Sequence, residues 1–297
     1  MADFAYNKDY SSEELKELIE KELSFVIEAA SLVEPLKSAV KHAVFPPGKL
    51  IRPLLCVTLC QDLGGDIHRL LRAAVSLELL HASSLVHDDL PAMDDDDIRR
   101  GKPSCHKAFG EATAILVGDY LVGLAHQVLC QADYPAVLQQ MFVSELSNTY
   151  MSLCNGQQLD MLDDRSVSLD TVHQLKTGAL FGAAFKFGAI ASGCSQRQID
   201  TCKELGLWVG LSFQIIDDYL DIIGEEKGRP AGSDQKNNKV TFLDRKHEIH
   251  SEIEDVRERI ETCLDQLYQL CSNEGRIDDN FVNLRPIINS VFDKVIS

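Results

Sequence analysis

The feature that most constrains this sequence is the acidic run from His87 to Asp97, which is followed at once by Arg99 and Arg100. The run places six carboxylates within ten residues, and like charges so close repel one another. A folded chain tolerates such a run as a solvated loop, or because a multivalent cation neutralises it. A second acidic group, Asp217–Asp221, lies in an otherwise apolar stretch. Two aspartate clusters that face each other across a cavity would bind hard divalent cations, and such cations bind phosphates.

The second acidic group has the spacing of one helical face. Its polar residues recur at i, i+3, i+4 and i+7: Gln214, Asp217, Asp218 and Asp221. The surrounding residues are mostly apolar, so we expect the stripe to be buried, and a buried acidic stripe without a nearby basic residue needs a cation. The helix should run over 198–223, with Ser195 as N-cap and Gly224 as C-cap.

The periodicity of the apolar residues predicts helices and gives no strand pattern. Pro91 disfavours helical geometry at Leu90, so the helix before the acidic run should end or kink there, and Asp94 can fold back toward Asp88. The sequence therefore predicts an all-α protein: one domain over residues 1–297, with ten or more helices around a deep central cavity. The predicted helices begin after the cap Ser11–Glu14 and continue over 69–90, 111–130, 135–161, 169–193, 198–223, 251–271 and 280–296.

Cations at three places suit an anionic ligand, although each has a simpler explanation. Gly48, Lys49 and Arg52 stand at a predicted helix start, where backbone amides bind anions, but they also fit an ordinary charged first turn. Lys176 and Thr177 lie in a stretch of small residues that would let two helices approach closely, but Lys176 could also be an ordinary solvated lysine. The loop over 224–241 is either a lid over an anion or a flexible surface loop.

Composition excludes several classes of protein. The net charge of −17 argues against nucleic-acid binding, which needs a basic face. The nine cysteines form no Cys-x-x-Cys pair and read as reduced thiols, so we expect a cytoplasmic protein. The longest stretch of small apolar residues, 178–193, is too short to span a bilayer, and we expect no integral membrane segment.

The sequence offers two aspartate clusters, cations near them, and apolar helices that could enclose a cavity. This combination suits a substrate that has a diphosphate group and an apolar body. Mg²⁺ shares phosphate oxygens, and with Lys or Arg it stabilises the charge on a departing diphosphate. If an allylic carbocation forms, Thr177 and Gln214 can supply dipoles while the helix walls exclude water.

Three motifs resemble those of the trans-prenyltransferases, the short-chain polyprenyl diphosphate synthases, and most closely the bacterial farnesyl and geranylgeranyl diphosphate synthases. They are His-Asp-Asp-Leu-Pro-Ala-Met-Asp-Asp-Asp-Asp-x-Arg-Arg-Gly, Lys-Thr-Gly-Ala-Leu and Phe-Gln-x-x-Asp-Asp-x-x-Asp. The resemblance runs from about Pro46 to Thr241. It implies a homodimeric helical fold and the head-to-tail condensation of an allylic diphosphate with isopentenyl diphosphate.

The resemblance also implies a role for each matching residue. Three Mg²⁺ ions would be held by Asp88, Asp94 and Asp217, with Asp221 and Asp234 in support. The allylic diphosphate would be bound by Arg99, Lys176 and Lys239, with Thr177 and Gln214 facing the nascent cation. Isopentenyl diphosphate would be bound by Gly48, Lys49, Arg52, His81 and Arg100. The released diphosphate is the family's general base.

Three departures from the family pattern leave every metal ligand in place. Leu50 replaces one arginine of the usual Gly-Gly-Lys-Arg, Arg229 replaces a lysine, and Asn238 precedes Lys239 where glycine is usual.

Product length should depend on Ser83 and Ser84, one turn before Asp88, which would form the upper wall of a tunnel for the growing chain. Farnesyl-type relatives usually carry an aromatic residue at the position of Ser83. The small serine predicts geranylgeranyl diphosphate, whereas Tyr120 or Phe142 lower down could restore farnesyl diphosphate as the product.

Three other readings compete. A class I terpene cyclase usually has one aspartate motif and needs no isopentenyl site. A non-catalytic partner subunit of another synthase tends to lose a motif, and both motifs are intact here. A purely structural helical protein would bury its acidic stripe for no gain.

Overall fold

The computed structural model describes residues 9–162, 167–226, 249–277 and 279–296. Some residues are described by their backbone alone, without their side chains. They are residues 218, 221–226, 249–250 and 294–296. The described parts contain twelve α-helices, as the sequence led us to expect. They are α1 Ser12–Ala29, α2 Leu36–Val44, α3 Ile51–Asp62, α4 Ile67–Asp88, α5 Cys105–Phe109, α6 Glu111–Cys130, α7 Ala136–Leu162, α8 Leu169–His173, α9 Ala179–Ala191, α10 Gln196–Glu226, α11 Ile249–Ser272 and α12 Leu284–Ile296.

Helix α1 begins where its sequence provides a cap. The Ser11 hydroxyl accepts a hydrogen bond from the Glu14 amide, and the Glu14 carboxylate accepts one from the Ser11 amide. This capping box satisfies two amide groups that would lack partners at the helix start. The buried residues of α1 then recur at helical spacing: Leu15, Ile19, Leu23, Val26 and Ile27.

The end of α4 confirms the effect predicted for Pro91. The helix stops at Asp88, and the chain then turns so that the Asp94 amide donates to the Asp88 carbonyl at 2.8 Å. Asp94 is thereby brought back beside Asp88, as predicted.

A two-stranded antiparallel ribbon corrects the expectation that the chain has no strands. β1, Ile98–Arg99, pairs with β2, Lys102–Pro103. The two-residue loop between them has positive φ at both Arg100 (53°) and Gly101 (75°), which is the geometry of a tight hairpin turn. Strands of two residues are too short to give a periodic signal, so the sequence pattern missed them.

The chain divides into two compact units. The first comprises Tyr10–Val57 and Ile67–Ser147, and α4 packs along α6 within it. The second comprises Asp9, Thr58–Asp66 and the described residues from Asn148 onward, and α10 packs against both α9 and α11 within it. The expectation of one domain over the whole chain stays a prediction.

Helices α9 and α10 approach closely because glycines face each other, as the stretch of small residues predicted. A Cβ atom on Gly206 would lie 2.8 Å from the Gly182 Cα atom, and one on Gly210 would lie 2.7 Å from the Gly178 Cα atom. Helix α10 runs to Glu226. The prediction that Gly224 ends this helix is therefore wrong, because the helical hydrogen bonding continues through the glycine.

Helix α6 is the one helix in the described ranges that is long and apolar enough to cross a membrane, judged by length and composition alone. It spans Glu111–Cys130, and 44% of its most apolar window is buried. A core helix of a soluble protein passes the same test, so the absence of a membrane segment stays a prediction. All nine cysteines are free thiols, as expected, and six of them are buried.

Candidate functional site

The first acidic motif presents two carboxylates at the end of α4. Asp88 is the last residue of the helix, Asp94 is held beside it by the turn, and both side chains are partly exposed. Carboxylate oxygens that remain open to water suit Mg²⁺, which retains several water ligands. The two residues therefore fit the metal-binding role that the resemblance implies.

Asp89, the other acid of the pair, has a different environment. The residue is 2% exposed, and its Oδ1 accepts from Nε of Arg99 at 2.9 Å and from Nη2 at 2.5 Å. Arg99 Nη2 also donates to Asp96 Oδ2 at 2.8 Å. Burial raises the pKa of Asp89, and the hydrogen bonds from Arg99 oppose that rise. Asp89 and Asp96 thus position Arg99, a role that the sequence pattern did not separate from metal binding.

Most residues expected at the isopentenyl diphosphate site lie together in the first unit. A Cβ atom on Gly48 would lie 3.2 Å from Nη2 of Arg100, so a larger residue here would push the guanidinium back by a few tenths of an ångström. Arg100 also donates to the carbonyl of Pro46 at 3.3 Å. Lys49 is exposed just before α3, which begins at Ile51, so these residues do lie at a helix start.

A buried glutamate holds these cations together. Glu78 is 3% exposed, and its Oε1 lies 3.5 Å from Nη2 of Arg100. Burial raises the pKa of Glu78, while Arg52 and Arg100 oppose the rise. Glu78 was not among the residues predicted for the site, although an acid among the apolar residues of α4 was a usable signal.

The same cluster shifts the pKa values of its basic members. Burial, with the positive charge of Arg100 alongside, lowers the pKa of Arg52 to about 10, against the opposing pull of Glu78. Burial together with Arg52, Arg100 and Arg99 holds the pKa of His81 well below its usual value. His81 is therefore neutral at physiological pH and offers a hydrogen bond rather than a charge.

In the second unit, Lys176 and Thr177 lie on a single π-helical turn, Gln174–Gly178, which joins α8 to α9. Such turns often occur at functional sites. Lys176 Nζ forms an ion pair with Asp160 Oδ2 of α7 at 2.7 Å. Gly156, one turn earlier on α7, allows this approach, since a Cβ atom there would lie 2.5 Å from the backbone nitrogen of Lys176.

The two side chains predicted to supply dipoles, those of Thr177 and Gln214, form a hydrogen bond with each other. The Thr177 hydroxyl donates to Gln214 Oε1 at 3.0 Å. Asp217, one turn further along α10, has an exposed side chain. The expectation of a buried acidic stripe is therefore wrong at Asp217, because a carboxylate keeps its hydration when water can reach it.

Several predicted residues lie outside the described parts. This group comprises the side chain of Asp221, the residues Asp234 and Lys239, and the part of the proposed lid (224–241) that follows the end of α10. Their roles stay predictions.

The two residues predicted to control chain length are both in α4. Ser83 is fully buried and donates from its hydroxyl to the Gly118 carbonyl of α6 at 2.9 Å, whereas Ser84 is half-buried and bonds the His81 carbonyl. Tyr120 lines a cavity of about 300 Å³ in the same unit. Phe142 is fully buried and packs edge-on against Tyr134, with 5.1 Å between the ring centroids.

Comparison with known proteins identifies the family. The family model for polyprenyl synthetases matches residues 33–274. The chain belongs to the polyprenyl synthetase family. It is a prenyltransferase of the kind that includes farnesyl and geranylgeranyl diphosphate synthases.

Some relatives in this family are named for the fifteen-carbon product and others for the twenty-carbon product. A farnesyl diphosphate synthase of Geobacillus stearothermophilus is 39% identical over 240 residues, covering 77% of this chain and 81% of that protein. Geranylgeranyl pyrophosphate synthase 4 of Arabidopsis thaliana is 38% identical over 228 residues, covering 72% and 61%. The match thus spans less than two thirds of the plant protein, and relatives named for either product are almost equally identical to this chain.

The fold of this polyprenyl synthetase family member is also found in solved structures. A geranyltransferase of Helicobacter pylori, complexed with magnesium and isoprenyl diphosphate, superposes with a TM-score of 0.78 and 26% identity. The match covers 97% of this chain and 100% of that one. It confirms the predicted all-α isoprenoid synthase fold. The family uses Mg²⁺, and the carboxylates of Asp88 and Asp94 suit that ion.

Proposed function

We propose that this chain condenses an allylic diphosphate (dimethylallyl, geranyl or farnesyl) with isopentenyl diphosphate. The allylic carbon–oxygen bond breaks and diphosphate leaves. The double bond of isopentenyl diphosphate then attacks the allylic cation, and a proton passes to the released diphosphate as the new double bond forms. The main product is geranylgeranyl diphosphate.

The observation that carries this proposal is the pair of cations Arg52 and Arg100 near the buried Glu78, with the backbone of Gly48 close to the Arg100 guanidinium. A cyclase needs no second diphosphate site, whereas a chain-elongating synthase must bind isopentenyl diphosphate beside its allylic substrate. Two guanidiniums with one buried carboxylate leave net positive charge for a diphosphate. Lys49 and neutral His81 complete the proposed site.

The allylic diphosphate is assigned to the acidic motifs and their cations. We assign the metal ligands as Asp88, Asp94, Asp217, Asp221 and Asp234, with three Mg²⁺ ions. Bound Mg²⁺ supplies positive charge that stabilises the leaving diphosphate. Arg99 and Lys176 are assigned to its oxygens. Within its own unit, each cation is oriented by acids, Arg99 by Asp89 and Asp96 and Lys176 by Asp160. Lys239 has the same assigned role.

Thr177 and Gln214 are assigned to the nascent cation. Because Thr177 donates to Gln214 Oε1, the hydroxyl oxygen keeps its lone pairs for a developing positive charge. Neither group is a strong nucleophile, so neither would trap the cation.

A homodimer is part of the proposal. Helix α6 exposes two large apolar side chains, Ile115 (46% exposed) and Leu116 (57%). Exposed neighbouring apolar groups mark interaction surfaces, and a second copy would cover them. Gel filtration with light scattering should give twice the chain mass, and Leu116→Glu should give the monomer. Val137→Glu on α7, which is 68% exposed, is the matched control and should remain dimeric. A cytoplasmic location stays a prediction.

The direct test supplies the pure protein with Mg²⁺, isopentenyl diphosphate and dimethylallyl diphosphate, then measures diphosphate release and product length. We expect release of diphosphate and a twenty-carbon product. Release with only the fifteen-carbon product would support the reaction and overturn the length assignment. No consumption of isopentenyl diphosphate would overturn the reaction and leave the partner-subunit alternative.

A further inference from the structure

Three potential metal ligands outside the proposed reaction lie together in the first unit. Asp95, Asp97 and His106 each offer one ligand atom, and these atoms lie within 4.8 Å of one another. Among the residues the structure describes, this is the one such group of three. The two carboxylates are exposed, whereas His106 is only 6% exposed.

The imidazole of His106 carries a second, independent sign of a ligand. Its Nδ1 lies 3.1 Å from the Ser104 hydroxyl, while its Nε2 is buried without a hydrogen-bond partner. A buried ring nitrogen without a partner is costly and calls for an explanation. Metal-bound histidines commonly show this division, in which one nitrogen binds the ion and the other is fixed by a hydrogen bond.

A lysine side chain already pairs with one of the two carboxylates. Lys107, the residue after His106, places its ammonium 2.7 Å from Asp97 Oδ1. The ammonium group neutralises one carboxylate but supplies no partner for an imidazole nitrogen. A divalent ion could satisfy both carboxylates and the imidazole together.

We propose that Asp95, Asp97 and His106 form a binding site for a divalent transition-metal ion of the Zn²⁺ type. One nitrogen and two carboxylate ligands, with water completing the shell, suit Zn²⁺ better than Mg²⁺, which prefers oxygen ligands alone. None of the three residues belongs to the proposed magnesium set. The inference therefore does not rest on the proposed reaction.

The position of the site gives the ion a structural consequence. Asp95 and Asp97 directly precede β1, and His106 follows β2, so the ion would tie together both ends of the ribbon. The ribbon and its turn carry Arg99 and Arg100. Bound metal would hold the segment that presents these two guanidiniums.

The test titrates Zn²⁺ into the full chain by calorimetry, in the presence of excess Mg²⁺. Asp95→Asn and Asp97→Asn replace exposed side chains, so both variants should fold. We expect each to lose one equivalent of bound Zn²⁺ or to bind it at least about tenfold more weakly than wild type. Asp200→Asn, an exposed aspartate of α10, is the matched control and should match wild type. Identical isotherms for all four proteins would overturn the site.

Two further measurements address the histidine and the lysine. Zn²⁺ should shift one imidazole nitrogen resonance in long-range ¹H–¹⁵N spectra of wild type but not of Asp97→Asn, and the same response in both would overturn the assignment of His106. Lys107→Gln should bind Zn²⁺ more tightly because it removes the competing ammonium. Lys41→Gln, which breaks another exposed ion pair of this unit, controls for net charge. Equal affinity in these two variants would contradict the proposed competition.

Discussion

The carboxylate of Glu78 lies 3.5 Å from the guanidinium of Arg100, in a site where Glu78 is 3% exposed. The positive charge of Arg52, like that of Arg100, opposes the rise that burial causes in the pKa of Glu78. Removing one partner of a buried ion pair is costly, because the charge that remains is neither solvated nor neutralised. Glu78 therefore acts as a positioning residue for Arg100.

Glu78→Gln should lower the free energy of unfolding by about 3 kcal/mol and raise KM for isopentenyl diphosphate. KM for the allylic substrate should change little, because Arg99 is held by Asp89 and Asp96 instead. Denaturant unfolding and steady-state kinetics with each substrate varied check this. Glu22→Gln, which breaks the Arg72 ion pair of the same unit, is the control and should leave both KM values unchanged. Equal rises in both KM values would contradict the assignment.

Thr177→Val keeps the side-chain shape but removes the hydroxyl that donates to Gln214. The loss of one hydrogen-bonding dipole at a developing cation should lower kcat about tenfold with little change in KM. Single-turnover and steady-state rates separate these effects. Thr262→Val, on the exposed side of α11, should leave kcat unchanged. A rise in KM alone would show that Thr177 acts in binding.

Ser83→Tyr should shorten the main product from twenty to fifteen carbons, since its side chain would extend from α4 where a growing chain is expected to pass. Ser83 is buried against α6, so the larger ring should also lower the free energy of unfolding by about 1–3 kcal/mol. Product sizing at a temperature where the variant is folded checks the prediction. Ser84→Tyr, at a half-buried neighbouring position, tests whether any tyrosine near Asp88 has this effect. An unchanged twenty-carbon product from a folded Ser83→Tyr variant would rule out this position as the limit.

His81 should make stability depend on pH. Its folded pKa lies well below the value of about 6.5 expected in the unfolded chain. The unfolded state therefore binds more protons as the pH falls below 6.5, and the free energy of unfolding should fall by up to about 1.4 kcal/mol per pH unit. Above that pH the contribution should be constant. Unfolding curves of wild type and His81→Gln between pH 7 and pH 5 check this, and equal slopes for the two proteins would contradict it.

Much of the fold followed from the sequence because helix periodicity and capping are local. The bounds predicted for α6 are those observed, and Pro91 identified the end of α4. Gly224 misled because a glycine within a long helix carries the same signal as one after its last turn. The ribbon from Ile98 to Pro103 was missed because strands of two residues have no period.

The sequence predicted some residues of the candidate site and missed others, whereas it predicted most of the helices. Residues in a recognisable pattern, such as Thr177 and Gln214, do meet. The supporting acids Glu78, Asp89 and Asp160 were not assigned, because a side chain that positions another is defined by its neighbours in space. The exposure of Asp217 was also misjudged, since apolar neighbours along a helix do not fix which face meets water.

The most direct test of the central claim compares diphosphate release by wild type, Asp88→Asn and Asp217→Asn with saturating substrates and Mg²⁺. If both acidic motifs serve the metal ions of one allylic diphosphate, as we propose, each variant should lose at least about a hundredfold in rate. Asp200→Asn, on the same helix as Asp217, should retain the wild-type rate. Full activity in either Asp88→Asn or Asp217→Asn would contradict the account.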